Sequence, residues 1–491
     1  MHQQLRHLSS QLRNQNQKSR TNMQIPILNG IFTDDRQAEM RTSYPVNLIP
    51  VPKQSGISNG YLRPADGLVK HGEGPGVNRG GIERSGICYR VMGTSLCSVA
   101  SDGTVTVLGD VGGTDDNLVT MDYSFDLLAI ASGGKLYYWD ETTVKQVTDP
   151  DLGLVLDVVW VDGYFMTTDG EFLVVTELLD PFAVNPLKYG SSEIDPDPVT
   201  SIIKLRNEIY AVNRHTIEVF NNVGGSLFPF QRVNGAQIQK GCVGTQACCV
   251  FIETIAFLGS GRNESPGIFL GVNSQANKIS TKEIDEILTD YTEVQLSKVK
   301  LETRNDRNHK HLYVHLPDQT LVFDYTATQA TNTPVWFVLS SSELGLAEYK
   351  ARDIVWCYDR WLIGDPTSNV IGFFQDDIGS HYGAKVRWEF STGIVYNEGR
   401  GAIFHELELV ALTGRVEFGT NPLISTSYSV DGETWSQSRS IKAGTQGNRS
   451  KRLVWFQQGS MINWRVQRFR GESDAHVSFA RLEAQVEPLA Y

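Results

Sequence analysis

Residues 155–176 read VLDVVWVDGYFMTTDGEFLVVT, three apolar runs separated by two tight turns. The first run ends at Val161, Asp162-Gly163 forms a turn, and Tyr164 opens a second run that ends at Thr168. Asp169-Gly170-Glu171 forms the next turn, and Phe172 to Thr176 is the third run. Gly, Asn and Asp suit such hairpins because they tolerate positive φ. The mixed Val, Leu, Tyr and Phe runs predict strands covered on both faces. The third run recurs as Leu136-Tyr137-Tyr138-Trp139-Asp140, Ile217-Glu218-Val219-Phe220, Ile268-Phe269-Leu270, Leu321-Val322-Phe323-Asp324-Tyr325 and Val370-Ile371-Gly372-Phe373-Phe374, with Leu96 marking the first. Successive anchors lie 40, 37, 44, 51, 53 and 49 residues apart. A period of roughly 45 residues with four strands per unit specifies an all-β fold, a β-propeller of six or seven blades, expected here over residues 88–384.

Outside the repeat the rhythm changes. Residues 385–491 hold longer, more polar alternating strands near 385–391, 402–412, 424–430, 452–457, 463–470 and 476–485. They predict a β-sandwich or jelly-roll-like domain. Residues 23–87 are rich in Pro and Gly, and are expected to run extended along the propeller or a neighbouring subunit. Residues 1–22 carry Arg6, Arg13, Lys18 and Arg20 and no acid, and are expected to be a flexible basic tail or an extension upstream of Met23. One helix interrupts the strands. Thr281 caps it, Glu283 supports its first turn, and Ile284, Ile287 and Leu288 share one side.

The net charge is −12, and residues 23–384 hold 27 Lys and Arg against 45 Asp and Glu. Such a body repels phosphate backbones and argues against sequence-specific DNA binding. It suits ordinary solubility, or a passage that DNA traverses without sticking. No stretch of about 18 apolar residues predicts a membrane span. The six cysteines show no C-x-x-C spacing, and reduced, mostly buried thiols are expected.

Candidate sites are few. His309, His311 and His315 alternate along one strand face, an arrangement that can hold a metal. No acid or Cys stands beside them at ligand spacing in the chain, so a partly exposed strand face or an interface is expected, and no metal or cofactor is assigned. Asp195-Pro196-Asp197-Pro198 reads as a rigid linker between blades rather than a calcium loop. Ser429-Val430-Asp431-Gly432-Glu433-Thr434-Trp435 resembles the Asp-box hairpin of sialidases, in which Asp and Gly shape a structural turn. There is no G-x-x-x-x-G-K-[ST], H-E-x-x-H or G-x-S-x-G, and nothing selects a carboxylate pair, so no catalytic residue is assigned.

Thr216-Ile217-Glu218-Val219-Phe220, then Phe228-Pro229-Phe230-Gln231-Arg232, then Ile238-Gln239-Lys240-Gly241-Cys242 form a chained pattern. It resembles the packaged-DNA stabilisation proteins, the tail hub or nozzle components, of short-tailed phages. Tyr44-Pro45-Val46-Asn47, Gly60-Tyr61-Leu62-Arg63, Tyr89-Arg90-Val91 with Gly93 and Leu96, Gly109-Asp110-Val111, and His315-Leu316-Pro317 with Leu321, Val322 and Asp324 extend the resemblance from Met23 to the C-terminus. It implies a non-enzymatic homo-hexamer of the virion tail, assembled in the host cytoplasm and seated below the portal and its head-to-tail adaptor ring. Such a ring would close the DNA exit after packaging, pass double-stranded DNA without reading its sequence, and carry tailspikes and a needle or plug, with no membrane insertion. The matched residues Tyr89, Arg90, Gly93, Ile217, Glu218, Phe220, Phe230, Arg232, Lys240, Gly241, His315, Pro317 and Asp324 are then expected to pack blades or subunits, with Arg232 and Lys240 as partners for Glu218. The competing expectations are a propeller hydrolase or lyase acting on glycan, motivated by the Asp-box-like turn, and a protein-binding propeller, which the lack of a WD or kelch signature weakens.

Overall fold

Asp157–Val161, Tyr164–Thr168 and Phe172–Thr176 form the first three strands of an antiparallel sheet in the computed structural model, and Val184–Ser191 completes it. The structure describes residues 20–28, 30–33, 40–53, 59–178, 180–416 and 418–489. The Asp162-Gly163 turn takes φ of 49° and 91°, the double positive-φ turn that matches strand twist. The same meander repeats, with every anchor of the sequence repeat on the third strand of its sheet.

Among the described residues the propeller unit, Asp66–Ala384, has seven such sheets, numbered here as blades in chain order. The inner strands are Asn78–Arg84, Thr120–Tyr123, Asp157–Val161, Val199–Leu205, Cys248–Phe251, Lys300–Asp306 and Arg352–Cys357, and each neighbours the next around a closed circle. Blade 5 splits its inner position, since Gly241–Cys242 and Cys248–Phe251 both pair with Thr254–Ser260. Most of the blade-to-blade packing is apolar. Tyr138, Phe165 and Leu152 fill the seam of blades 2 and 3, and Met166, Ile202, Phe220 and Phe230 that of blades 3 and 4. Strands between two sheets lose both faces to the core, which is why these runs are apolar throughout.

Two boundaries differ from the sequence reading. The propeller starts at Asp66 rather than residue 88, because Gly67–Glu73 pairs with Val370–Gln375 as the outer strand of blade 7. An N-terminal strand thus completes the last blade and closes the circle. The segment expected to run extended is therefore divided, because Leu48–Pro52 and Gly60–Pro64 are strands of the other unit. That unit comprises the described residues from 20 to 65 and from 385 to 489. Residues 1–19 of the expected basic tail lie outside the described residues, whereas Thr21–Ile25 pairs with Ser478–Pro488.

The second unit is a sandwich. One sheet orders Leu48–Pro52, Gly60–Pro64, Ser478–Pro488, Ala402–Leu412 and Leu453–Phe456. The other orders Arg387–Ser391, Trp464–Glu472, Leu423–Ser429 and Arg439–Lys442. Inward residues of both sheets, among them Trp388, Phe390, Phe404, Phe469 and Phe479, make one core. Phe390 stacks on Phe469 at 5.1 Å, and Trp388 tilts against Phe479 at 4.9 Å.

The helix Lys282–Thr289 starts at its Thr281 cap, and Ile284 and Leu288 are its buried side. All six cysteines are free thiols, and five are buried.

Candidate functional site

The inner strand of each blade is a sheet edge, so alternate N–H groups on it have no ladder partner. Burying such a group unpaired costs about 1–3 kcal/mol. The chain meets this with carboxylates placed on the preceding blade. Trp160 N of blade 3 donates to Asp122 Oδ2 of blade 2 at 2.7 Å. Ile202 N and Ser201 Oγ of blade 4 donate to Asp157 Oδ2 of blade 3 at 2.9 and 2.7 Å. Ile354 N of blade 7 donates to Glu302 Oε2 of blade 6 at 2.8 Å. None of these acids was singled out in the sequence. The available signal was an acid breaking an otherwise apolar inner strand, as Asp157 does in DVVWV.

Asp157 shows the energetic balance. Burial pushes its carboxyl up to about 6 against the hydrogen bonds from Ile202 and Ser201 that pull it down. A raised folded value means the folded state holds the proton more tightly than the unfolded chain. The ionised form therefore costs stability above pH 6, and that cost is relieved as pH falls from about 6 toward 4. Relative to Asp157→Asn, the wild-type chain is expected to gain up to roughly 3 kcal/mol between pH 7 and 4. Denaturant midpoints of both chains across that range check this, and a pH-independent difference would contradict it.

The seam that closes the circle packs Met92, Cys97, Val355 and Ile371 against one another and also carries a cluster of buried charges. Asp353 of blade 7 is fully buried, with φ of 56°. It pairs with Lys300 of blade 6 and accepts from Asn78 Nδ2 of blade 1 at 2.5 Å. Arg90 Nη1 reaches Asn78 Oδ1 and Arg90 Nη2 reaches the Asp353 carbonyl, both at 3.0 Å. Arg304 of blade 6 is held by Asp66 at 2.5 Å and lies 3.9 Å from the Phe374 ring centre. Arg90, matched in sequence, is thus a closure residue. Tyr89 packs in the seam of blades 1 and 2, and the Gly93 carbonyl accepts from Arg79 at 2.8 Å.

Blade 4 carries the chained motif. Glu218 is fully buried, its Oε1 accepts from Ile194 N at 2.9 Å, and Arg232 stands 3.5 Å from its Oε2. Lys240 does not reach Glu218. It pairs with Glu264, because the chain has already passed into blade 5. Ile217 is buried, and Phe230 packs with Phe220 in the seam of blades 3 and 4. At Gly241 the backbone of Asn213, Arg214 and His215 leaves no room for a side chain.

Blade 6 corrects the histidine reading. The strand His309–His315 is a middle strand, and His311 and His315 are buried rather than exposed. Acids also accompany them, supplied by the neighbouring strands through sheet register. Asp324 lies opposite His311, with Oδ2 2.5 Å from His309 Nδ1 and 3.4 Å from His311 Nε2. His315 Nε2 contacts Glu302 Oε1 at 2.7 Å, and its Nδ1 contacts Thr320 at 3.0 Å. Burial lowers the His311 imidazole below its usual range. Burial also opposes the charge on Asp324, but the adjacent His309 and His311 imidazoles outweigh it and hold that carboxyl well below the usual range. Pro317 sits exposed in the following turn, where Leu316 N donates to the Gln319 carbonyl at 2.9 Å. The matched residues therefore lie on four separate blades and do not converge on one centre.

The Asp-box-like segment is a turn. Asp431 Oδ1 accepts from Glu433 N at 3.0 Å and Thr434 N at 2.9 Å, and Arg468 lies 3.8 Å from the Trp435 ring centre. A hollow of about 640 Å³ opens between blades, touched by Asp115, Leu154, Gln246, Lys298 and Glu348, and a second one holds about 270 Å³. Among the described residues no helix is long and apolar enough to cross a membrane.

Comparison with known proteins places this architecture. A family model described as bacteriophage P22 Gp10, β-propeller, matches residues 23–379, and one described as bacteriophage P22 Gp10, β-sandwich, matches residues 387–487. Tail hub protein gp10 of Salmonella phage P22 is 28% identical over 461 residues, which cover 89% of this chain and 93% of that protein. Among solved structures, PorZ of Porphyromonas gingivalis aligns with 77% of this chain and 46% of its own at 11% identity and a TM-score of 0.38. The Neurospora crassa Pan2 WD40 domain aligns with 62% of this chain and 95% of its own at 9% identity and a TM-score of 0.39. Likenesses this slight carry no functional argument.

Proposed function

The chain belongs to the bacteriophage P22 Gp10 family through both its β-propeller and its β-sandwich, and on that premise we propose that it closes the portal–adaptor channel of a short-tailed phage after packaging. It is a structural tail hub protein of the virion tail, not an enzyme. In this reading it forms a homo-hexameric ring, assembled in the host cytoplasm, that retains the genome, seats below the adaptor ring and carries tailspikes and a needle or plug. The match to a tail hub protein along 89% of the chain carries the proposal.

Two physical features support it. The acidic body, with 45 acids against 27 bases over residues 23–384, would let duplex DNA slide past rather than bind. The hollow of about 640 Å³ is on the scale of a small-molecule pocket, so a DNA passage would have to form between subunits rather than through one propeller. A closed ring provides such a passage. Particles assembled without this chain are expected to package DNA and then release it, as read by DNase sensitivity of the encapsidated genome. Particles that keep their DNA without it would overturn the proposal.

A further inference from the structure

We propose that blade 6 binds a divalent transition-metal ion of the zinc class between His309 Nδ1, His311 Nε2 and Asp324 Oδ2. These ligand atoms already lie within 4.8 Å of one another. They come from two adjoining strands of one blade, His309–His315 and Thr320–Asp324, so sheet register rather than a mobile loop positions them.

The donor set is specific. Two imidazole nitrogens and one carboxylate oxygen suit Zn²⁺ and its neighbours, whereas Ca²⁺ and Mg²⁺ call for oxygen ligands. Bonds of about 2.0–2.1 Å in a tetrahedral site put ligand atoms roughly 3.3 Å apart. His311 Nε2 and Asp324 Oδ2 stand at 3.4 Å, too poorly aligned for a hydrogen bond. His311 is 1% exposed, and neither of its ring nitrogens makes a hydrogen bond. A buried imidazole is seldom left without a partner, and a cation beside Nε2 supplies one. His309 Nδ1 and Asp324 Oδ2 share a 2.5 Å contact that a metal would replace, the ring proton moving to Nε2 with no net release.

The surroundings agree. Arg304, across the sheet from His311, is engaged by Asp66 and Asp306, so its charge does not cancel that of Asp324. Asp324 Oδ1 accepts from Ala327 N at 2.9 Å and caps the helix Tyr325–Thr331, which leaves Oδ2 for the metal. His309 is 17% exposed, which gives the ion a way in and leaves a fourth position for water. The ion would clip both strands and the helix together, a structural role.

Cobalt(II) is a suitable probe, since a four-coordinate site gives strong visible absorption. The untagged full-length chain, stripped with EDTA and dialysed, is expected to bind one Co²⁺ per chain with that spectrum, and Zn²⁺ should displace it. His309→Gln, at the most exposed ligand, is expected to fold normally by circular dichroism and to bind at least about tenfold more weakly. A folded wild-type chain that takes up no Co²⁺ would overturn the proposal whatever the variant does. So would uptake of equal affinity in wild type and His309→Gln.

Discussion

Asp353→Asn is expected to destabilise the propeller by about 3–5 kcal/mol, seen as a fall in the denaturant midpoint of its tryptophan-monitored transition. Asparagine keeps the shape of the side chain and tolerates the φ of 56° at this position, so backbone strain stays nearly constant. The substitution removes the charge that Lys300 faces while its ammonium stays largely shielded, 15% exposed, between blades 6 and 7. Removing one partner of a buried pair leaves an uncompensated charge, which costs far more than an exposed ion pair is worth. Adding Lys300→Met should restore most of the loss, because an apolar pair of similar volume needs no counter-ion. Burial opposes ionisation of Asp353, but Lys300, Arg352 and Arg90 outweigh it and hold its carboxyl below the usual range. With a depressed folded value, the pair's stabilisation is present at neutral pH and is lost as pH falls through that value. A loss under about 1 kcal/mol for Asp353→Asn would show that the ion pair does not hold the seam.

Gly241→Ala is expected to cost about 3 kcal/mol, the upper end of overpacking penalties. A Cβ there would stand within 2.5 Å of Asn213 O, His215 N and Arg214 C. All three are backbone atoms of the blade 4 turn, so no side chain can swing away, and blade 5 must shift off blade 4. Gly235→Ala is the control. Gly235 has φ of +81° but nothing within 4 Å of an added methyl, so it should cost only the conformational penalty of about 1–2 kcal/mol. Thermal or denaturant unfolding of both variants measures the contrast. Equal losses would mean that close approach is not what requires glycine at 241.

Much of the propeller was legible because burial on both faces of a strand leaves a plain mark in the chain. Phe172–Thr176 and Thr320–Asp324 are apolar runs since each lies inside a blade between two neighbouring sheets. The closing strand Gly67–Glu73 left no such mark. It is an outer strand with only its first two residues buried, so its residues satisfy water as much as protein. The histidine cluster was half legible. Alternation placed His309, His311 and His315 on one face, but the acids reach them across strands. Only the register through the Leu316–Gln319 turn puts Asp324, thirteen residues on, opposite His311.

By itself the sequence determined the all-β class, the propeller repeat, the sandwich that follows and the family, because each depends on local patterns of burial and turn chemistry that adjacent residues record. Tertiary structure alone decided which strand closes blade 7, that Leu48–Pro52 and Gly60–Pro64 belong with the sandwich, and which partner each buried charge takes. Asp353 meets Lys300, Asn78 and Arg90 from two neighbouring blades, and Glu218 takes Arg232 and not Lys240. Those choices depend on which chain segments are close in space, and a charge carries no trace in the sequence of the distant group that neutralises it.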